Sequence, residues 1–318
     1  MGKVRTMKHL VWTSTLLCAL ACGPKDAGPT AAPTDASKAT GDLATGDGAT
    51  ASSADTEARI REILAGTHRS ADNRARDGER HPAETLAFFG VQPDDKVVEL
   101  WPGGGWYTEI LAPYVKDAGE LVVTVYDPAG PEAYYGTGQA KTMLERFEKE
   151  ADIFGKVAHV VVPQTVEIDD AGKVGKIELQ PFSLGEPGSA DVVLTFRNSH
   201  GWFNRGADAM VYGAVFEVLK PGGVFGVVQH RADDGADPAE SGKKGYLPEA
   251  TVIAAAEAAG FELADKSEIN ANPKDTKDYP DGVWTLPPSL TKGDVDRDKY
   301  IAIGESDRMT LKFVKPAG

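Results

Sequence analysis

The 318-residue chain has almost no cysteine: Cys18 and Cys22 are its only two. Everything after residue 22 is therefore without a thiol nucleophile, a disulfide or a cysteine metal site. Positive charge is also scarce, with 34 Lys+Arg against 48 Asp+Glu and a formal net charge of −14. Binding nucleic acid requires a basic face to neutralise phosphates, so that class is excluded. After the N-terminus no apolar run approaches the roughly 20 residues of a spanning helix, which excludes a polytopic membrane protein. No group of His, Asp and Glu has metal-ligand spacing, so no metal is expected. No internal repeat is present. With 41% hydrophobic and 26% charged residues, the composition is globular, and the chain is long enough for one large domain or two small ones.

The first residues read as an address. Lys3, Arg5 and Lys8 precede a short apolar run, residues 10–21, that ends in small side chains. Ala19-Leu20-Ala21-Cys22 resembles the lipobox of bacterial lipoproteins, with cleavage before Cys22 and lipid on its sulfur. Ala19 stands where Leu is commonest, and an ordinary signal cleaved after Ala-Leu-Ala is the alternative. Gly23 in place of Asp points to the outer membrane of a Gram-negative bacterium, facing the periplasm. Residues 22–55 are Gly, Ala, Pro, Thr, Ser and Asp with almost no large apolar side chain, the composition of a flexible tether. Residues 56–318 form the folded part, and its only expected membrane contact is the lipid.

Within that part, strand patterns alternate with helix patterns. Strands are expected at 96–100, 121–125, 157–162, 191–196, 224–229 and 261–263, with an extended run at 308–314. Helices are expected at 139–150, 207–219 and 248–259, and a hairpin over 165–180 turning at Asp170-Ala171-Gly172. The fold class is α/β: a doubly wound, mostly parallel sheet with a C-terminal antiparallel strand. The long polar segment 270–305 has the character of a lid.

In such folds ligands sit beyond the carboxyl ends of the strands, where the crossover direction switches. Glu99 to Gly105 lies there. Pro102-Gly103-Gly104-Gly105 lets the backbone approach a ligand, and the next helix offers unpaired N–H groups. Asp127, ending the next strand, is placed to accept hydrogen bonds from vicinal ribose hydroxyls. Two cofactors compete. A dinucleotide fingerprint lacks its third glycine, because Thr108 stands there. The other is S-adenosylmethionine.

Val97-Val98-Glu99-Leu100-Trp101-Pro102-Gly103-Gly104-Gly105 resembles motif I of class I methyltransferases. Asp127 matches that family's ribose-binding acid, and Leu219-Lys220-Pro221-Gly222-Gly223 matches the turn before its fifth strand. The signal, Arg80-His81-Pro82, the Trp-Pro-Gly-Gly-Gly-Trp-Tyr turn and the tail from Ser306-Asp307-Arg308 to Pro316 resemble the exported predicted methyltransferases of bacteria. The resemblance implies a methyltransferase fold binding S-adenosylmethionine through Glu99, Pro102, Gly103, Gly104, Gly105 and Asp127, with methyl transfer to a small acceptor. It departs at Trp101, which replaces the glycine that opens the turn. The residue facing the adenine is placed at Gln180, with Phe182 either against the purine or in the core. Tyr107 either packs or reaches the cofactor carboxylate.

Catalytic candidates follow from position. Arg197 to Trp202 comes after the fourth strand of the central sheet, where the family faces its substrate. His200 can act as base and Asn198 can orient an acceptor. His230 ends the next strand at the same rim. The charged run from Arg69 to Arg80 reads by default as a solvated face, with a cover over the cofactor as the alternative. Export stands against activity, since S-adenosylmethionine is made in the cytoplasm. A second reading is therefore a catalytically inactive methyltransferase-fold binding module of the cell envelope.

Overall fold

The computed structural model describes residues 51–318. The signal, Cys22 and the tether as far as residue 50 lie outside the described residues. The first helix, Ser53–Leu64, begins within the last residues of the segment read as tether. Ser52 explains the start: its hydroxyl accepts the Asp55 N–H at 3.2 Å, while the Asp55 carboxylate accepts the Ser52 N–H at 3.3 Å.

Nine strands follow: β1 (Lys96–Leu100), β2 (Glu120–Val125), β3 (Ala158–Val161), β4 (Gln164–Ile168), β5 (Val174–Leu179), β6 (Ala190–Phe196), β7 (Leu219–His230), β8 (Glu262–Ser267) and β9 (Arg308–Val314). Seven of them form one sheet in the order β3-β2-β1-β6-β7-β9-β8. The first five neighbours run parallel, with Val97 opposite Leu121 and Val192, and Val193 opposite Phe225. β9 lies antiparallel between β7 and β8, pairing Val227 with Leu311 and Leu263 with Phe313. The doubly wound α/β fold with an antiparallel C-terminal strand is the fold of the chain. The expected hairpin is present as β4 and β5, a separate two-stranded sheet. Asp169 closes its turn by accepting the N–H groups of Ala171 and Lys173. The Pro221-Gly222-Gly223 turn shifts the register inside β7: Ala190 pairs with Leu219, but Val192 with Val224.

Alternate residues of each strand bury into opposite layers. Val98, Leu100, Phe225 and Val227 join Val211, Val215 and Phe313 on one face. Val97, Val192 and Leu194 join Ile60, Leu86, Phe89 and Ile110 on the other. Gly226 shows how closely the helix Pro82–Phe89 approaches β7: a Cβ there would meet Leu194 and Phe89 at 2.7–2.8 Å. The helix expected at 139–150 starts earlier, spanning Tyr135–Lys149, because Tyr134 and Tyr135 pack edge-on against Tyr126.

Residues 268–307 leave the sheet between β8 and β9 and return to it. This insertion has its own small core of Tyr279, Leu286 and Tyr300. Its two ends are tied by Arg231, just past β7, which donates to Glu268 at 2.7 and 2.8 Å and to Asp307 at 3.0 and 3.1 Å. Among the described residues no helix is long and apolar enough to cross a membrane.

Candidate functional site

The crossover direction reverses between β1 and β6. A cavity of about 400 Å³ opens there, where a doubly wound sheet is expected to hold its ligand. One wall is Pro102-Gly103-Gly104 after β1; another is Arg197, Asn198 and His200 after β6; His230 ends β7 at the rim. Val283, Trp284 and Pro287-Pro288-Ser289 of the insertion cover it. The 270–305 segment is thus placed as a lid.

The turn is built for exposure. Gly103 and Gly105 have φ of +61° and +78°, which a side chain resists, and a Cβ on Gly103 or Gly104 would touch nothing within 4 Å. The Asn198 amide holds the β6 loop to this turn, donating to the carbonyls of Leu100 at 2.9 Å and Trp101 at 3.3 Å. That bonding occupies the group expected to orient an acceptor, so Asn198 positions the turn instead.

The two histidine rings lie 5.8 Å apart. His200 Nδ1 is 3.3 Å from Gln229 Nε2, whose amide also donates to the Gly245 carbonyl at 2.9 Å. His230 Nδ1 meets the Ser306 hydroxyl. Burial first, then Gln229 against it and the Arg205 charge with it, leave the His200 pKa pushed down to about 4. Burial, the neighbouring His200 and the Arg197 charge push His230 well below the ordinary histidine value. Both imidazoles are neutral at pH 7.

Six residues expected at the cofactor do not line this cavity. Glu99 is buried beneath the turn, its Oε2 accepting the Thr108 hydroxyl at 2.7 Å. Tyr107 stacks on Phe196 with ring centroids 3.5 Å apart and donates to the Arg80 carbonyl at 3.3 Å, so its hydroxyl is engaged behind the wall. Asp127 stands at the end of β2, but its Oδ1 accepts the Ala129 N–H at 2.8 Å in a local turn. Gln180 sits at the base of the hairpin, where its N–H donates to the Pro163 carbonyl at 2.9 Å. Phe182 packs edge-on against Trp101 at 6.0 Å, on the core side. Gly105 faces a second space of about 330 Å³ beside the helix Tyr135–Lys149.

Trp101 has φ of +42° and is buried against Trp202 at 5.2 Å and Tyr126 at 6.5 Å. Between it, Gly103, Tyr126 and Met143 only about 10 Å³ remains, room for about one water.

The charged run is divided: Asp72, Arg74 and Glu79 are exposed, whereas two arginines are buried. Arg69 and Arg80 are each 1% exposed and lie over the Trp106 ring at 5.1 and 4.6 Å. Arg69 pairs with Glu109 at 2.9 Å and Asp77 at 2.7 Å; Arg80 pairs with Glu305 at 3.0 Å. Distant carboxylates make their burial possible. Arg76 and Arg80 line the cavity, in keeping with the alternative reading of their run as a cover, while Glu305 and Ser306 were missed as cavity residues. The one available signal was the charged run Glu305 to Arg308 leading into an apolar strand. Among the described residues no three His, Cys, Asp or Glu side chains are grouped to hold a metal ion.

Glu99 gives a pH prediction. Burial raises its pKa to about 8, with the Thr108 hydroxyl opposing. The folded state keeps this proton up to about pH 8, while the unfolded chain releases it near 4.5, so Glu99 costs stability increasingly as pH rises through that window. Glu99→Gln mimics the protonated acid. Urea unfolding should find it within about 1 kcal/mol of the parent at pH 5, and more stable than the parent at pH 8.5.

No protein-family model matches the sequence, and no curated protein is similar to it. Among solved structures, a SAM-dependent methyltransferase from Aquifex aeolicus is 13% identical over 81% of this chain and 97% of its own, with a TM-score of 0.46. A geranyl diphosphate C-methyltransferase from Streptomyces coelicolor A3(2) is 13% identical over 80% and 88%, at 0.46. The cyclase SpnF is 14% identical over 76% and 81%, at 0.48. The strand order described above, not these likenesses, fixes the fold.

Set against S-adenosylmethionine, the residues divide. The amino-acid end finds open backbone at Gly103 and Gly104 and guanidinium groups across the cavity. Beside Tyr126 the nucleoside end finds a 10 Å³ gap, and an Asp127 carboxylate whose Oδ1 already accepts the Ala129 N–H. In this arrangement the residues fit one half of the cofactor and not the other.

Proposed function

We propose that the chain is an S-adenosylmethionine-dependent methyltransferase acting on a small molecule, exported and held at the membrane by lipid on Cys22. The observation that carries the reading is the glycine turn facing a lidded cavity at the switch point of the sheet. Motif I, read on residues 97–105, supports it; the export and the anchor rest on the sequence alone. When bound, the cofactor would supply a sulfonium methyl group. The chain's part is alignment and dryness. Gly103 and Gly104 seat the amino-acid end, Asn198 holds the turn in register with the β6 loop, and Trp284 and Pro288 exclude water. The reading requires the gap beside Tyr126 to widen, by movement of the helix Tyr135–Lys149, before a nucleoside is seated.

Calorimetric titration of S-adenosylmethionine and its demethylated product into the purified protein tests this. Micromolar binding is expected. Gly104 has an ordinary φ and open space around it, so Gly104→Leu should fold and yet bind at least tenfold more weakly, about 1.4 kcal/mol. No heat with either ligand, from protein shown to be folded, overturns the reading and leaves a fold kept for binding without turnover.

A further inference from the structure

The amino-acid end of the cofactor would bring one carboxylate to this cavity, which holds more cations than one carboxylate balances. Four guanidinium groups converge on the one carboxylate of Glu305: Arg76 Nε at 2.8 Å, Arg80 Nε at 3.0 Å, Arg308 Nη1 at 2.8 Å and Arg197 Nη1 at 3.9 Å. The nearby Glu79 carboxylate accepts the Glu305 N–H at 3.3 Å. Cations remain in excess even when Glu79 is counted. Arg76, Arg80 and Arg197 all line the cavity. Arg80 is 1% exposed, and neither of its terminal nitrogens has a hydrogen-bond partner among the described residues. The Arg197 side chain makes no hydrogen bond among the described residues, its contact being the 3.9 Å approach to Glu305. Buried cations with unspent donors are costly, and an anion bound through charge-assisted hydrogen bonds relieves that cost.

Position says which part of a ligand the anion would be. Glu305 and Ser306 are consecutive: the first gathers the arginines, the second meets His230. An anion seated on the arginines therefore brings the adjoining atoms of the same molecule to the two imidazoles.

We propose that the methyl acceptor is an acid, its carboxylate or phosphate held by Arg76, Arg80 and Arg197 and its adjoining group facing His200 and His230. The word acceptor rests on the methyltransferase reading; the anion site does not. One other source of the same chemistry exists, the α-carboxylate of S-adenosylmethionine itself.

The test is calorimetry on the purified protein at low ionic strength, with succinate and inorganic phosphate as probes. Millimolar or tighter binding of at least one is expected, weakened at least tenfold in Arg197→Gln and unchanged in Arg59→Gln, a surface control. Arg76→Gln serves as the second variant should Arg197→Gln fail to fold. Absence of binding by the folded parent, or equal binding in parent, Arg197→Gln and Arg76→Gln, overturns the site. Titrations of S-adenosylmethionine and its decarboxylated analogue separate the sources. If Arg197→Gln weakens only the carboxylated form, and succinate competes with it, the acceptor assignment falls. If succinate and S-adenosylmethionine bind together and Arg197→Gln spares the latter, it stands. Succinate binding with no binding of S-adenosylmethionine would overturn the methyltransferase reading and leave the anion site intact.

Discussion

Glu305→Gln should lower the unfolding free energy by about 3–5 kcal/mol, the cost of removing one partner from a buried ionic cluster. The carboxylate is 4% exposed and touches three guanidinium groups at 2.8–3.0 Å, of which Arg80 and Arg308 are as buried as Glu305. An amide keeps the shape but leaves those cations without a counter-charge. Against the 5–15 kcal/mol by which domains are stable, this is a large fraction. Urea unfolding of parent and variant reads it directly. Added phosphate should restore part of the loss, because an anion that binds only the folded state stabilises it by mass action. A loss below about 1 kcal/mol would mean that water, not Glu305, balances the arginines.

Trp101 carries the second large effect. Its ring is buried among Trp202, Phe182 and Tyr126 on the central sheet, and Trp101→Ala should cost about 3–5 kcal/mol in lost contacts and cavity. The backbone supplies a sharper comparison. With φ at +42°, Trp101 stands where a side chain strains the chain by about 1–2 kcal/mol. Trp101→Gly should therefore be more stable than Trp101→Ala by about 1 kcal/mol, although glycine is ordinarily the worse residue in ordered structure. Thermal unfolding of the three proteins decides it, and an alanine variant at least as stable as the glycine one refutes the strain.

The central sheet was legible because its signals are local. Lys96-Val97-Val98-Glu99-Leu100 and Asp191 to Phe196 are short apolar runs bounded by turn residues, and the glycine turn follows the first of them directly. The cavity's positive wall was not legible. Arg80 looks like a surface residue until Glu305 arrives, 225 residues further on. No periodicity announces a pair at that separation. Asp127 shows a different effect: the Pro128-Ala129-Gly130 turn engages one of its carboxylate oxygens, a local competition that a match to a motif does not see. The lid drew attention by length and polarity, but which residues it would lower onto the cavity depended on where β8 and β9 close.

That closure has a consequence for how such a protein can change. Arg231 pinches the lid shut at its base, joining Glu268 to Asp307 from a position on the sheet. Beyond the pinch, Tyr279, Leu286, Tyr300 and Glu305 are buried and fixed, but the exposed turn at 293–296 can lengthen at little cost, since doubling a flexible loop adds only about 0.6 kcal/mol of entropy. The residues that roof the cavity, Val283 to Ser289, belong to this insertion, while the glycine turn and the β6 loop belong to the frame. New ligands can thus be tried by redrawing the roof, with the frame beneath left as it is.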